Sequence, residues 1–150
     1  MSSIHDYPVR VSWSGGRMGS GTVRTEDSKV QAELAVPEEF KGPGNAANPE
    51  QLLSCAIAAC YAITFGIIAE NRKLPVEDVQ VEAVGHVDAS SPLPKYTSIE
   101  IRPTIRVASP TEEQRKLILE MAEKADSYCI VTNTLREKVA ISVEPTLIEV

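Results

Sequence analysis

The sequence predicts a single α+β domain spanning residues 1–150, and three observations support this prediction. Segments with alternating apolar and polar residues, typical of β-strands, occur before residue 37 and after residue 78. Between them lies a run of eighteen residues without a charge, residues 52–69, which is too long for a strand and predicts a helix. A second helical pattern begins near residue 109. A chain of 150 residues is long enough to bury one sizeable core.

The first 36 residues predict a β-meander. Residues 9–13 alternate as a strand does, and residues 14–19 contain three glycines that favour a turn. Residues 22–25 and 30–36 continue the pattern. The glycine-rich and proline-rich residues 37–47 then form a loop that leads to the long helix.

The long helix has a clear start signal. Asn48 suits the N-cap, Pro49 suits the first helical position, and the Gln51 side chain can bond back to the cap. We expect the helix to end near residues 71–74, ahead of a proline. Because residues 52–69 are apolar on every face, we expect this helix to be buried all round.

Eighteen uncharged residues also meet the length of a membrane span. The run is rich in small residues, carries two thiols and stands alone in the chain. No basic cluster flanks one side of it. The sequence therefore favours a central helix packed by protein, with no membrane as a partner.

The second half of the chain completes the α+β pattern. Ser109 begins a helix with a capping box that places Pro110 at the first helical position. The other predicted elements are strands at 79–87, 98–102 and 139–143 and a short helix at 132–137.

Charge and cysteine content exclude several classes of protein. The net charge of −6 argues against nucleic acid as a partner, which needs clustered basic residues. Residues 1–6 contain no apolar stretch, so we expect no secretory signal. Three cysteines do not make a secreted disulfide framework. We expect a cytoplasmic protein with buried or reactive thiols.

The residue spacings indicate neither a metal nor a cofactor. Cys55 and Cys60 lie roughly 140° apart around the helix axis and form no Cys-x-x-Cys or zinc pattern. Cys55 alone is best explained as a packing residue. The two histidines, His5 and His86, lie far apart in the sequence, and nothing places His86 beside a thiol as a hydrolase would require. The glycines near residue 15 do not have phosphate-loop spacing.

A family resemblance rests on three stretches of the chain. The segment 48–52 (Asn-Pro-Glu-Gln-Leu), the Ala-Ala-Cys-Tyr segment at 58–61 and a cysteine 69 residues after Cys60 resemble the OsmC/Ohr family of osmotically inducible and organic hydroperoxide resistance proteins. The Gly-Gly-Arg-x-Gly turn at 15–19 is similar to the Ohr branch. The resemblance implies an OsmC-like fold with antiparallel sheets around a long buried central helix, in an intertwined homodimer.

The same resemblance implies a set of catalytic residues. Cys60 would be the peroxidatic cysteine and Cys129 the resolving one, while Arg17 and Glu50 would form the charged pair that activates Cys60. The substrate would be an organic hydroperoxide, and the reductant a dithiol such as a lipoylated protein. The chain departs from the family pattern after Cys129, where Ile130 replaces the usual proline.

Physical chemistry agrees with this assignment. A free thiol has a pKa near ~8.5, and an apolar helix core would raise it, so Cys60 needs a nearby cation such as Arg17. A buried arginine in turn needs a carboxylate, which Glu50 could supply. Glu50 and Cys60 are about 15 Å apart along the helix axis, so Arg17 cannot easily touch both within one subunit. Either two subunits share the active sites, or Glu50 takes no part.

Two other functions stay open at this point. An OsmC-like protein without peroxidase activity could bind a small apolar or electrophilic ligand, with Cys60 as a sensor thiol. A structural dimerisation domain with inert thiols is the third hypothesis.

Overall fold

The computed structural model describes residues 3–150, and these residues form two compact units, one up to Leu52 and one spanning Leu53–Val150. The prediction that residues 1–6 contain no secretory signal includes Met1 and Ser2, which lie outside the described residues.

The first unit contains a three-stranded antiparallel sheet. Strands β1 (Val9–Ser14), β2 (Ser20–Thr25) and β3 (Gln31–Leu34) lie in the order β1-β2-β3, which confirms the predicted meander. The β1–β2 turn needs its glycines: Gly15 has a φ of 88°, and a Cβ on Gly19 would meet the Ser14 carbonyl oxygen at 2.3 Å. A short 3₁₀ turn interrupts the loop that follows β3.

Helix α1 (Pro49–Asn71) begins and ends where the sequence predicts. The Gln51 backbone N–H donates to Asn48 Oδ1 at 2.8 Å, and the Asn48 N–H donates to Gln51 Oε1 at 3.3 Å. This reciprocal capping box satisfies two N–H groups at the helix start that have no partner within the helix.

The second unit is built on a four-stranded mixed sheet. Strands β4 (Val76–Asp88) and β5 (Lys95–Val107) are antiparallel, whereas β6 (Ala140–Val143) and β7 (Thr146–Glu149) both run parallel to β5. The prediction of antiparallel sheets is confirmed for β1–β3 and for the β4–β5 pair, whereas the parallel pairing of β6 and β7 with β5 was not predicted. Two helices between β5 and β6 bring the chain back to the sheet in the direction of β5. Strand β7 was not predicted.

Two further helices lie between β5 and β6. Helix α2 (Glu112–Lys124) is capped by Thr111, whose hydroxyl accepts from the Gln114 N–H at 3.1 Å. The predicted start at Ser109 was two residues early, because Thr111 and Gln114 form the capping box instead. Helix α3 (Ile130–Leu135) begins two residues before the predicted short helix.

The core of the second unit includes only one face of α1. Its buried residues recur every fourth position, so they form a single stripe (Ile57, Tyr61, Phe65 and Ala69). This stripe belongs to a core shared with β5 and α2. Burial on every face is therefore not observed in the single chain, and Ile63 and Ile67 are 64% and 52% exposed.

Helix α1 is also the one helix within residues 3–150 that is long and apolar enough to cross a membrane. Its Tyr61 and Phe65 side chains are fully buried in the protein core. The core helix of a soluble protein can be equally long and apolar, so length and composition do not distinguish a core helix from a membrane span.

Candidate functional site

Two of the predicted site residues lie together in the second unit. Cys60, half-buried in the middle of α1, is joined by a disulfide bond to Cys129, which is fully buried. Their Cα atoms are 5.8 Å apart, within the normal range for a disulfide. The structure therefore brings these two predicted residues together, while their peroxidatic and resolving roles stay predictions.

Tyr61, the residue after Cys60, attaches α1 to α2. The Tyr61 hydroxyl donates to the Ala122 carbonyl oxygen at 2.6 Å, and the Tyr61 ring stacks on Phe65 with centroids 6.3 Å apart. Burial, with a smaller contribution from the Asp126 carboxylate, raises the pKa of Tyr61. The protonated phenol donates this hydrogen bond, which attaches the part of α1 next to Cys60 to α2.

Cys129 lies between the 3₁₀ turn Ala125–Tyr128 and helix α3. Its backbone N–H donates to the Asp126 carbonyl oxygen at 3.1 Å, and the Thr132 hydroxyl donates to that same oxygen at 2.7 Å. Arg136 forms a salt bridge with the Asp126 carboxylate at 2.9 Å. Asp126, Thr132 and Arg136 were not predicted as site residues, because contacts between a turn and the helix that follows it leave no local sequence pattern.

Cys55 differs from the other two cysteines in its surroundings. It is free and exposed, so its interpretation as a packing residue is wrong for the single chain. Cys55 lies two residues before Ile57, about 160° away around the helix axis, and therefore faces away from the buried stripe. Ile63, eight residues further along α1, is exposed on the same side of the helix as Cys55.

Arg17 and Glu50 lie in the first unit. Arg17 is exposed in the β1–β2 turn, whereas Glu50 lies in the first turn of α1 with its Oε2 atom buried. Their predicted action on Cys60, which belongs to the second unit, stays a prediction.

The first unit also contains a cavity of about 400 Å³. Apart from Glu50, the residues that line it are apolar: Val11, Trp13, Leu34, Ala35, Val36, Pro37, Phe40 and Pro49. A predominantly apolar cavity with one acidic group suits an apolar molecule that carries a single polar end.

His86, the histidine considered as a partner for a thiol, lies beside a carboxylate instead. His86 lies exposed on β4, and its Nε2 atom is 3.1 Å from Glu100 Oε1. Hydrogen bonds from Arg102 and, to a smaller extent, His86 lower the pKa of Glu100. Within residues 3–150, no three His, Cys, Asp or Glu side chains lie close enough to hold a metal ion.

Comparison with known proteins places this geometry in context. The family model described as OsmC-like protein matches residues 42–144. An uncharacterized protein of Bacillus subtilis, YmaD, is 28% identical over 144 residues, which cover 95% of each chain. The organic hydroperoxide resistance protein-like 2 of Staphylococcus saprophyticus is 30% identical over 141 residues, covering 92% of this chain and 94% of the relative.

A solved structure extends the similarity to three dimensions. A putative organic hydroperoxide resistance protein of Vibrio cholerae, crystallised with captopril in one of its active sites, superposes with a TM-score of 0.73. The two chains are 26% identical, and the match covers 97% of this chain and 94% of that one. The similarity therefore extends over both units of the chain.

Proposed function

Since this chain belongs to the OsmC/Ohr family, we propose that it is a cysteine-based peroxidase that reduces organic hydroperoxides to alcohols. The family includes organic hydroperoxide resistance proteins. The single observation that carries the proposal is the Cys60–Cys129 disulfide, since it joins the two cysteines that this chemistry requires.

The proposed reaction has three steps. The Cys60 thiolate attacks the distal peroxide oxygen, the O–O bond breaks, and the departing alkoxide takes a proton to become an alcohol. Cys60 is then a sulfenic acid, which condenses with the Cys129 thiol to form the disulfide and release water. An external dithiol, such as a lipoylated protein, reduces the disulfide by exchange and is itself oxidised to a disulfide.

Activation of Cys60 requires a cation near its sulfur. We assign this role to Arg17, with Glu50 as its carboxylate partner, by resemblance to the Ohr branch. Arginine keeps its charge when buried, which suits it to stabilise a thiolate in an apolar setting. The cavity beside Glu50 would hold the alkyl part of the substrate, and this favours organic hydroperoxides over hydrogen peroxide.

A homodimer with shared active sites completes the proposal. Ile63 and Ile67 are exposed one helical turn apart on α1, and they support it because neighbouring exposed apolar side chains mark an interface. In such a dimer, Arg17 and Glu50 of one subunit could act on Cys60 of the other. We also propose a cytoplasmic location, where reducing conditions would regenerate the thiols.

Mass spectrometry after one equivalent of cumene hydroperoxide tests the proposed function. The reduced protein should lose two hydrogens as Cys60 and Cys129 join, and Cys60→Ser should abolish both this loss and peroxide consumption. Cys55→Ser is the matched control, since it replaces a free, exposed cysteine on the same helix by the same residue. We expect this control to react at the normal rate.

Each other outcome contradicts the peroxidase in a specific way. Turnover retained in Cys60→Ser would remove Cys60 from the mechanism. A stable adduct on Cys60 without a disulfide would favour the sensor thiol, and an unreactive reduced protein would favour a structural role.

A further inference from the structure

The turn that holds Cys129 is organised around one carbonyl oxygen. The Asp126 backbone oxygen accepts three hydrogen bonds: from the Cys129 N–H at 3.1 Å, from Thr132 Oγ1 at 2.7 Å and from Arg136 Nη2 at 3.1 Å. Thr132 lies inside α3 and Arg136 directly follows it. This oxygen therefore attaches the backbone of Cys129 to both the middle and the end of the helix.

A charge pair between the buried Asp126 carboxylate and the partly exposed Arg136 side chain fixes the orientation of that carbonyl. The Asp126 side chain is only 8% exposed, and Arg136 Nη2 donates to its Oδ2 atom at 2.9 Å. A buried carboxylate is costly unless it is paired with a cation. Because the same nitrogen binds both the carboxylate and the carbonyl of Asp126, the charge pair and the hydrogen bond to Cys129 form one unit.

Nothing in the covalent chain would fix Cys129 without these contacts. Cys129 has an extended conformation, with φ −82° and ψ 121°, and the next residue is Ile130. A proline at that position would restrict the backbone of the preceding residue, whereas isoleucine does not. The Cys129 Cα must nevertheless stay within about 7 Å of the Cys60 Cα for a disulfide to form.

We propose that Asp126 and Arg136 are positioning residues that hold Cys129 within bonding distance of Cys60 in the reduced protein. This inference rests on the proposed function. The Cys129 sulfur attacks the sulfur of the Cys60 sulfenic acid, the S–O bond breaks, and the oxygen leaves as water as the S–S bond forms. Held in place, Cys129 traps the sulfenic acid before a second peroxide oxidises it further.

Oxidation of Cys60 and formation of the disulfide should respond differently to loss of the Asp126–Arg136 ion pair. Reduced Arg136→Ala, mixed rapidly with cumene hydroperoxide, should consume the first equivalent within about twofold of the wild-type rate, since Arg136 does not touch Cys60. Disulfide formation, followed by acid quenching, alkylation and mass spectrometry, should be slower by about tenfold or more. Over-oxidised Cys60 should accumulate when peroxide is in excess.

Two further variants show whether the effect belongs to this ion pair. Arg136→Lys keeps the charge and should recover part of the rate of disulfide formation. Arg115→Ala removes another partly buried arginine of the same unit, which is paired with Glu149 at 2.7 Å, and should leave both steps unchanged. A merely structural role for Arg136 would lower the stability of Arg136→Ala without slowing disulfide formation relative to peroxide consumption.

Disulfide formation at the wild-type rate in folded Arg136→Ala would overturn the proposal. Should that variant fail to fold, Thr132→Val provides the same comparison, because it removes one donor to the Asp126 oxygen at nearly constant volume. Wild-type protein that does not consume peroxide would contradict the proposed function alone. Oxidation of the two thiols by diamide, which needs no sulfenic acid, would then still be slower in Arg136→Ala if the positioning role is correct.

Discussion

At the scale of single residues, the surroundings of the three cysteines separate their chemistry. Cys129 is fully buried and hydrogen-bonded through both backbone groups, Cys60 is half-buried and joined to it, and Cys55 is free and exposed. A buried thiol protected from solvent suits a resolving role, because in the proposed reaction it has to reach the Cys60 sulfenic acid and not the peroxide. Exposure alone therefore does not identify the reactive cysteine in this chain.

Under the proposed mechanism, removal of the Cys129 thiol should limit the protein to a single turnover. We expect Cys129→Ser to reduce one equivalent of cumene hydroperoxide at the normal rate and then to accumulate sulfinic or sulfonic acid on Cys60, because nothing traps the sulfenic acid. Peptide mass spectrometry at increasing peroxide measures this. Sustained turnover without over-oxidation would mean that an external thiol resolves Cys60 directly.

Arg17→Ala should raise the pKa of Cys60, because the thiolate loses its cation. Ultraviolet titration in a background of Cys55→Ser and Cys129→Ser follows a single thiol, and at neutral pH the reaction with peroxide should slow by about tenfold for each unit of increase. Arg10→Ala is the control, since Arg10 is exposed on β1 and pairs with Glu26 at 2.7 Å. An unchanged Cys60 titration midpoint in Arg17→Ala would transfer the activating role to another basic residue, such as Arg24 or Lys41.

At the scale of elements, helix starts and strand alternation were predictable, whereas pairing partners were not. The Asn48 cap and the β1–β3 meander depend on neighbouring residues, which the sequence displays directly. Strand β7 and the parallel pairings with β5 depend on where two helices return the chain, and no local pattern records that. The Asp126–Arg136 contact was missed for the same reason.

The contribution of the Tyr61–Ala122 hydrogen bond to the free energy of unfolding should depend on pH above about 10. The pKa of Tyr61 is raised in the folded protein, so its contribution to stability is present below the unfolded value near about 10 and is lost as pH rises toward the folded value. Tyr61→Phe lacks this titration and, at neutral pH, should lose about 1 kcal/mol with its hydrogen bond. Urea unfolding should therefore show the stability gap between the two proteins narrowing above pH about 10.

A gap that stays constant across this pH range would show that Tyr61 does not hold its proton on folding. Tyr128→Phe serves as the control, because it removes the hydroxyl of a tyrosine that is 69% exposed.

At the scale of the whole molecule, the single chain leaves apolar surface that a second copy would cover. The sequence predicted burial of α1 on every face, and the chain alone buries only one stripe of it. A dimer would resolve this difference, since α1 would then be covered on both sides. The resemblance supplied the cysteine pair and the fold, but a single sequence carries no direct record of a symmetric interface.

Ile63→Asp should shift the protein from dimer to monomer, because it places a charge on the uncovered face of α1, where Ile63 is 64% exposed. Light scattering coupled to size-exclusion chromatography measures the mass. Leu93→Asp introduces the same charge at a site that is 81% exposed in the β4–β5 connection, and should leave the mass unchanged. A wild-type monomer, or an Ile63→Asp dimer, would contradict the proposed interface.

The link between Cys60 and Cys129 spans 69 residues, so it closes a loop that contains β4, β5 and α2. Closing a loop of this length restricts the unfolded chain and stabilises the fold by about 4 kcal/mol. By the thermodynamic cycle, folding must favour formation of the same bond by the same amount, a factor of about a thousand in its equilibrium constant. The oxidised protein is thus the thermodynamically more stable form, and under the proposed mechanism each reduction of the disulfide returns the molecule to its less stable state.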